Sequence, residues 1–184
     1  MIRRLSLLTL ALALGAAACG PRAAPAREGL ELALVEELPA ARLRALVCTY
    51  GGERRVSSVE PKKQRGRVVV VLEVEAPAAV SGLTLAAVEL FDSSGGRLAY
   101  GVMPADLRLA PRFEPPQNPL ETETRDFDGK VAPGASVRLW IHAKLDVSLQ
   151  TLLDVTPAKF QVTLNVQDGR QVTVGGTVGE IWGG

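Results

Sequence analysis

From Leu30 onward the chain is a succession of short apolar runs, each closed by glycine, proline or an Asp/Asn turn. Runs of that length spaced by turn residues specify an all-β sandwich or barrel rather than helices, which need longer stretches of period 3.6. The expected strands are Leu30–Val35, Ala45–Tyr50, Arg67–Ala76, Leu83–Asp92, Arg97–Val102, Leu120–Phe127, Ser136–Lys144, Lys159–Val166 and Arg170–Val178. Short helices are expected around Ala40–Leu46, after Pro39, and around Ser148–Leu153. The fold class is therefore all-β, an antiparallel sandwich of about seven to nine strands in one domain.

One hairpin can be placed in register from side chains alone. Phe160, Val162, Leu164 and Val166 share a strand face, as do Val172 and Val174. A two-residue Asp168-Gly169 turn would set Asn165 against Val172, polar against apolar. A three-residue loop, Gln167-Asp168-Gly169, sets Leu164 against Val172 and Val162 against Val174. It also puts Gly169 at a left-handed position, where lacking a Cβ is an advantage. Phe160 then lies across from Gly176.

The segments Val88–Leu98 (VELFDSSGGRL) and Val131–Ile141 (VAPGASVRLWI) resemble the FxLYD-type, immunoglobulin-like domains of bacterial envelope proteins. Leu90-Phe91-Asp92 stands where that pattern has Leu-Tyr-Asp before a Gly turn, and Pro133-Gly134 where it opens a later strand. The resemblance spans Arg67 to Lys144. It implies an immunoglobulin-like sandwich with an accessory or scaffold role, and it carries over no catalytic residue.

The N-terminus has the three ordered parts of an export signal: Arg3 and Arg4, the apolar stretch Leu5 to Leu14, and the small residues Gly15 to Ala18. That stretch falls short of the ~20 residues of a transmembrane helix. Ala16-Ala17-Ala18-Cys19 resembles the lipobox of bacterial lipoproteins, with Ala16 where Leu is commoner. The resemblance implies cleavage before Cys19 and acylation there. It divides the chain into a signal peptide (1–18), a lipidated cysteine with a short linker (19–29) and the sandwich (30–184). Two or more acyl chains hold a protein stably on a bilayer. Gly20, rather than Asp, after the cysteine is what family sorting rules associate with the outer membrane, which places the domain in the periplasm. The Pro- and Ala-rich linker Gly20–Gly29 reaches about 33 Å when extended. The alternative is plain secretion with Cys19 a free thiol.

The charge excludes one class of partner. The chain has 21 Lys and Arg against 20 Asp and Glu, and losing Arg3 and Arg4 with the leader turns the formal charge from +1 to −1. Such a body has no global field to draw it to nucleic acid. The other cysteine, Cys48, sits in the strand-like ALVCTY, either as a buried inert thiol or as a residue pairing with another chain.

Catalytic and metal motifs are missing. His142 is the only histidine, and no His-Glu-x-x-His, Cys-x-x-Cys, Gly-x-Ser-x-Gly or phosphate-binding Gly loop occurs. Asp126-Phe127-Asp128-Gly129 resembles the start of a calcium loop but lacks the remaining oxygen ligands, so a solvated turn is expected. No cofactor, metal or catalytic residue is assigned, and the expectation is a non-enzymatic protein.

Three surfaces are candidates for binding. In Ser136–Lys144, the residues Val137, Leu139, Ile141 and Ala143 alternate with Arg138, Trp140, His142 and Lys144. If the first set faces the core, a Trp and a His lie outside between two cations, a composition favoured at interface centres. Alternatively, a crossing loop covers Trp140. The segment Met103–Leu120, with five prolines, is long for a sandwich loop. Its Arg112 and Phe113 either meet a partner or drape over a sheet edge. The stretch Arg54–Arg67, with Arg54, Arg55, Lys62, Lys63, Arg65 and Arg67, either touches anionic lipid or is a solvated hairpin. The function expected is membrane-tethered accessory or anchor binding of another envelope protein. The alternative is a glycan- or lipid-binding module using the Trp140 face, and a hydrolase ranks below both.

Overall fold

The computed structural model describes residues 41–52, 60–179 and 181–182. They form two packed sheets. One has six strands in the order β10-β1-β2-β7-β5-β6, the other four in the order β4-β3-β8-β9. In chain order these are β1 (Arg42–Gly51), β2 (Arg65–Ala76), β3 (Thr84–Phe91), β4 (Arg97–Tyr100), β5 (Asp106–Leu109), β6 (Arg125–Asp126), β7 (Ala135–Ser148), β8 (Lys159–Asn165), β9 (Gln171–Thr177) and β10 (Ile181–Trp182). The core order, 1-2-7-5 facing 9-8-3-4, is that of an immunoglobulin-like sandwich, ABED on one side and GFC with an added strand on the other. All pairings are antiparallel except β1 with β10.

Alternation builds the core. Val68, Val70, Leu72 and Val74 of β2 and Leu139, Ile141, Ala143 and Leu145 of β7 meet Val88 and Leu90 of β3 and Phe160, Val162 and Leu164 of β8. β1 and β3 each change parity once. The register slips between Ala45 and Val47 in β1 and between Leu85 and Ala87 in β3. The β1 bulge allows Leu43, Ala45, Cys48 and Tyr50 all to be buried in one strand. An extra residue re-aims every side chain after it.

The β8–β9 hairpin has the three-residue register. Leu164 pairs with Val172, Val162 with Val174 and Phe160 with Gly176. Gly169 has φ 79°, its N–H bonded to the Val166 carbonyl at 3.0 Å. Asp92 Oδ1 caps the turn after β3, accepting from the N–H of Ser94 at 2.8 Å and of Gly96 at 2.9 Å. The helix α1 (Leu149–Asp154) starts from Ser148, whose Oγ accepts from the Thr151 N–H at 3.2 Å.

Four expectations need correcting or fall outside the described residues. The helix around Ala40–Leu46 is instead strand from Arg42, because Leu43 and Ala45 alternate into the core against Val74 and Leu72. The strand expected at Leu120–Phe127 shrinks to Arg125–Asp126, after a 3₁₀ turn at Pro119–Glu121 in which the Leu120 N–H is taken by the Asn118 side chain at 3.0 Å rather than by a neighbouring strand. The Met103–Leu120 segment is not wholly irregular, since Asp106–Leu109 forms β5 against β7. The strand expected at Leu30–Val35 lies outside the described residues.

The same proline-rich segment covers part of the outer face of the larger sheet. Phe113 and Ala110 are fully buried there against Val69 and Val71 of β2, with Leu46, Val47 and Trp140 packed alongside. Hence the Val68–Leu72 run is buried on both faces. The segment is held by a bond from the Ala110 N–H to the Arg138 carbonyl at 2.8 Å.

Candidate functional site

Next to this covered patch, the outer face of the larger sheet opens into a groove of about 640 Å³. Strand alternation supplies its floor. With Leu139, Ile141 and Ala143 turned inward, Trp140, His142 and Lys144 of β7 turn outward. Trp140 and His142 meet edge to face, ring centroids 5.2 Å apart at 74°. Cross-strand pairing brings Arg67 of β2 opposite Lys144, and brings Asp106 and Arg108 of β5 opposite His142 and Trp140.

The wall is the chain's crossing from one sheet to the other. After β4, the Gly101 N–H bonds to the Val88 carbonyl at 2.7 Å, and the Val102 N–H to the Lys144 carbonyl at 2.7 Å. A Cβ at position 101 would sit 3.0 Å from that of Ala143 and 3.3 Å from that of Val88, so the crossing is as tight as glycine permits. Val102 and Met103 then form an apolar lip, 44% and 39% exposed, continued by Pro104 and Ala105.

The charges in the groove are partly ordered. The Arg108 Nε donates to Thr124 Oγ1 at 3.0 Å and its Nη1 to Asp126 Oδ1 at 2.9 Å. The Arg67 Nη1 lies 3.4 Å from His142 Nε2. A guanidinium can only donate, so Nε2 is the acceptor and the ring proton sits on Nδ1. Burial holds the His142 pKa below its ordinary value of 6.5, the Arg67 charge lowers it further, and Asp106 opposes both. The ring is thus neutral at pH 7. The Lys144 side chain is exposed and has no ion pair among the described residues.

Of the residues singled out from the sequence, the structure brings Trp140, His142 and Lys144 together in the groove, joined by Arg67. Trp140 is half-covered, its Nε1 donating to the Pro119 carbonyl at 3.1 Å. Arg138 lies further along β7, where it and Arg44 both pair with the buried Glu73. Arg112 pairs with Glu123 at 3.3 Å on the surface. Phe113 is no surface contact. It is wholly buried, because the outward-facing valines of β2, Val69 and Val71, give its ring a better home than water. Lys62 and Lys63 share Glu60 at 3.2 and 3.4 Å, and Arg65 donates to the Asp146 carbonyl at 3.1 Å. Arg54 and Arg55 lie outside the described residues, as does Cys19.

Sequence reasoning missed Asp106, Arg108, Thr124, Val102 and Met103. The alternation in Asp106-Leu107-Arg108-Leu109 was a legible strand signal, hidden by flanking prolines. Cys48 is buried, and burial raises its thiol pKa well above the ordinary value. At Asp128 a turn forms, with the Lys130 N–H bonded to Oδ1 at 3.0 Å and Gly129 at φ 77°. Among the described residues, no group of three or more His, Cys, Asp or Glu side chains is placed to hold a metal ion, and no helix is long and apolar enough to cross a membrane.

Comparison with protein-family models and with curated proteins finds no match to the chain.

Proposed function

We propose that this protein is a lipoprotein of the bacterial cell envelope, acylated at Cys19, whose sandwich binds another envelope protein as an accessory or anchor. The observation that carries the binding reading is the groove between β2, β5 and β7. It combines an exposed apolar lip, an aromatic floor and an exposed lysine on one sheet face. Such a mixture suits a protein surface, where apolar anchors sit beside polar contacts. The Arg3-Arg4 leader and Ala16-Ala17-Ala18-Cys19 support the address, and Gly20 supports the outer membrane facing the periplasm. The reading is non-enzymatic, in keeping with a sequence whose single histidine faces a guanidinium.

Two measurements test it. Mass spectrometry of the N-terminal peptide from membrane-purified protein is expected to show an acylated Cys19, and an unmodified thiol removes the anchor. Photo-crosslinking in cells from Val102 and Met103 is expected to capture one defined envelope protein, whereas no capture above background at both removes the partner. The concavity of the groove favours a second reading, a glycan- or lipid-binding module. Native mass spectrometry retaining a small ligand would select it.

A further inference from the structure

Among the described residues, every sheet edge but one carries something that discourages a further strand. β6 and β10 are two residues long. β4 has four residues, begins with Arg97, and gives its Tyr100 N–H to the Asp146 carboxylate at 2.8 Å. The part of β1 that β10 leaves uncovered carries Arg42, Arg44 and the bulge between Ala45 and Val47. Short strands, charges and bulges are the devices that keep a sheet from adding strands of other chains.

β9 has none of them. Its seven residues, Gln171–Thr177, include no charge and no proline, and its pairing with β8 runs without a bulge. The Val166 N–H bonds to the Arg170 carbonyl at 3.0 Å, and the Val178 N–H to the Ala158 carbonyl at 3.2 Å. Alternation between those bonds turns the amides and carbonyls of Gln171, Thr173, Gly175 and Thr177 away from β8. Among the described residues, no strand pairs with β9 on that side. A polar ladder also runs up to this edge. Asn165 Nδ2 donates to Thr84 Oγ1 at 3.3 Å, and Gln171 Nε2 donates to Asn165 Oδ1 at 3.1 Å. That leaves the Gln171 Oε1 as an acceptor at its end.

We propose that β9 pairs antiparallel with β9 of a second copy of this chain, about a twofold axis at Val174. The two smaller sheets then join into one. This register alone uses all the outward backbone groups, with Gln171 opposite Thr177 of the second copy and Thr173 opposite its Gly175. Self-complementarity is what selects a second copy. A strand paired with itself sets its own residues against one another, and here no like charges meet. The same register places Thr173 against Gly175 and Val172 against Gly176, a branched side chain beside a bare backbone each time. The Gln171 Oε1 meets the Thr177 hydroxyl of the second copy, so the ladder continues across the seam. The groove lies on the larger sheet, so a pair of copies presents two.

The test uses the full chain purified from membranes, its mass followed by sedimentation equilibrium in density-matched detergent. The expected result is reversible association to two chains per particle. Gln171→Glu/Thr177→Glu opposes like charges twice across the axis and should weaken association about tenfold. Gln171→Lys/Thr177→Glu changes the same two exposed positions but opposes unlike charges, and should associate at least as well as the parent chain. In membranes under mild oxidation, Gln171→Cys/Thr177→Cys should give a disulfide-linked dimer. A single chain at all concentrations overturns the inference, as does equal association of the two charged variants. Absence of the linked dimer, or its replacement by a link to a different protein, overturns it too.

Discussion

Trp140 donates its indole N–H to the backbone carbonyl of Pro119 at 3.1 Å, tying a strand side chain to the segment that crosses over it. The bond fixes the ring that floors the groove and the proline-rich chain beside it. Trp140→Phe keeps most of the packing and removes the donor. The expected cost is about 1 kcal/mol of stability. The sharper readout is limited trypsin digestion, where cutting after Arg108 and Arg112 should accelerate while the rest of the sandwich resists.

Phe113 secures the same segment by burial. Phe113→Ala leaves Val69 and Val71 facing a cavity and should cost about 3 kcal/mol in urea unfolding. Phe113→Leu should recover most of it. A loss below about 1 kcal/mol would mean that the segment is not seated on the sheet.

The single histidine gives stability a defined pH dependence. Its folded pKa is lowered, chiefly by burial and then by Arg67, so between that value and 6.5 the unfolded chain binds more protons than the folded one. Stability therefore rises with pH across this window and is lost as pH falls below 6.5. Thermal melts from pH 7.5 down to 5 should show a falling Tm, and His142→Gln should flatten that part of the curve. Asp92 and Asp168 have lowered pKa values, by hydrogen bonds from Ser94 and from the Arg170 backbone respectively. Their contribution is lost only at more acid pH, below their ordinary value of 3.8.

Two glycines should respond to alanine for different reasons. At Gly169 there is open space around a Cβ, but the backbone is left-handed, so Gly169→Ala should cost about 1 kcal/mol. At Gly101 the backbone gives no such objection and the space does. Gly101→Ala presses on Ala143 and Val88 and should cost about 1–3 kcal/mol. Chemical denaturation separates the two if Ala143→Gly rescues the second variant and leaves the first unchanged.

The contrast between the hairpin and the groove shows what could be read in advance. The β8–β9 register follows from local matching: only one loop length sets Leu164 against Val172 and leaves Gly169 at the turn. The sandwich follows from turn spacing and alternation. The bulges in β1 and β3 were hidden because a parity change is invisible until the partner strand is known. The groove was half legible. Alternation put Trp140, His142 and Lys144 on one face, but Asp106 and Arg108 arrive through a crossing from the other sheet. For Phe113 the sequence left partner contact and draping over a sheet edge open, because its burial depends on Val69 and Val71 of a distant strand.

The crossing at Gly101–Val102 bears on the load that the proposed anchor role would impose. Its amides are fastened to both layers at once, Gly101 to β3 and Val102 to β7. Tension exerted by a docked partner on the rim would thus be shared between the two sheets instead of peeling a single edge. Rigidity at that seam would let a small body transmit force without unzipping.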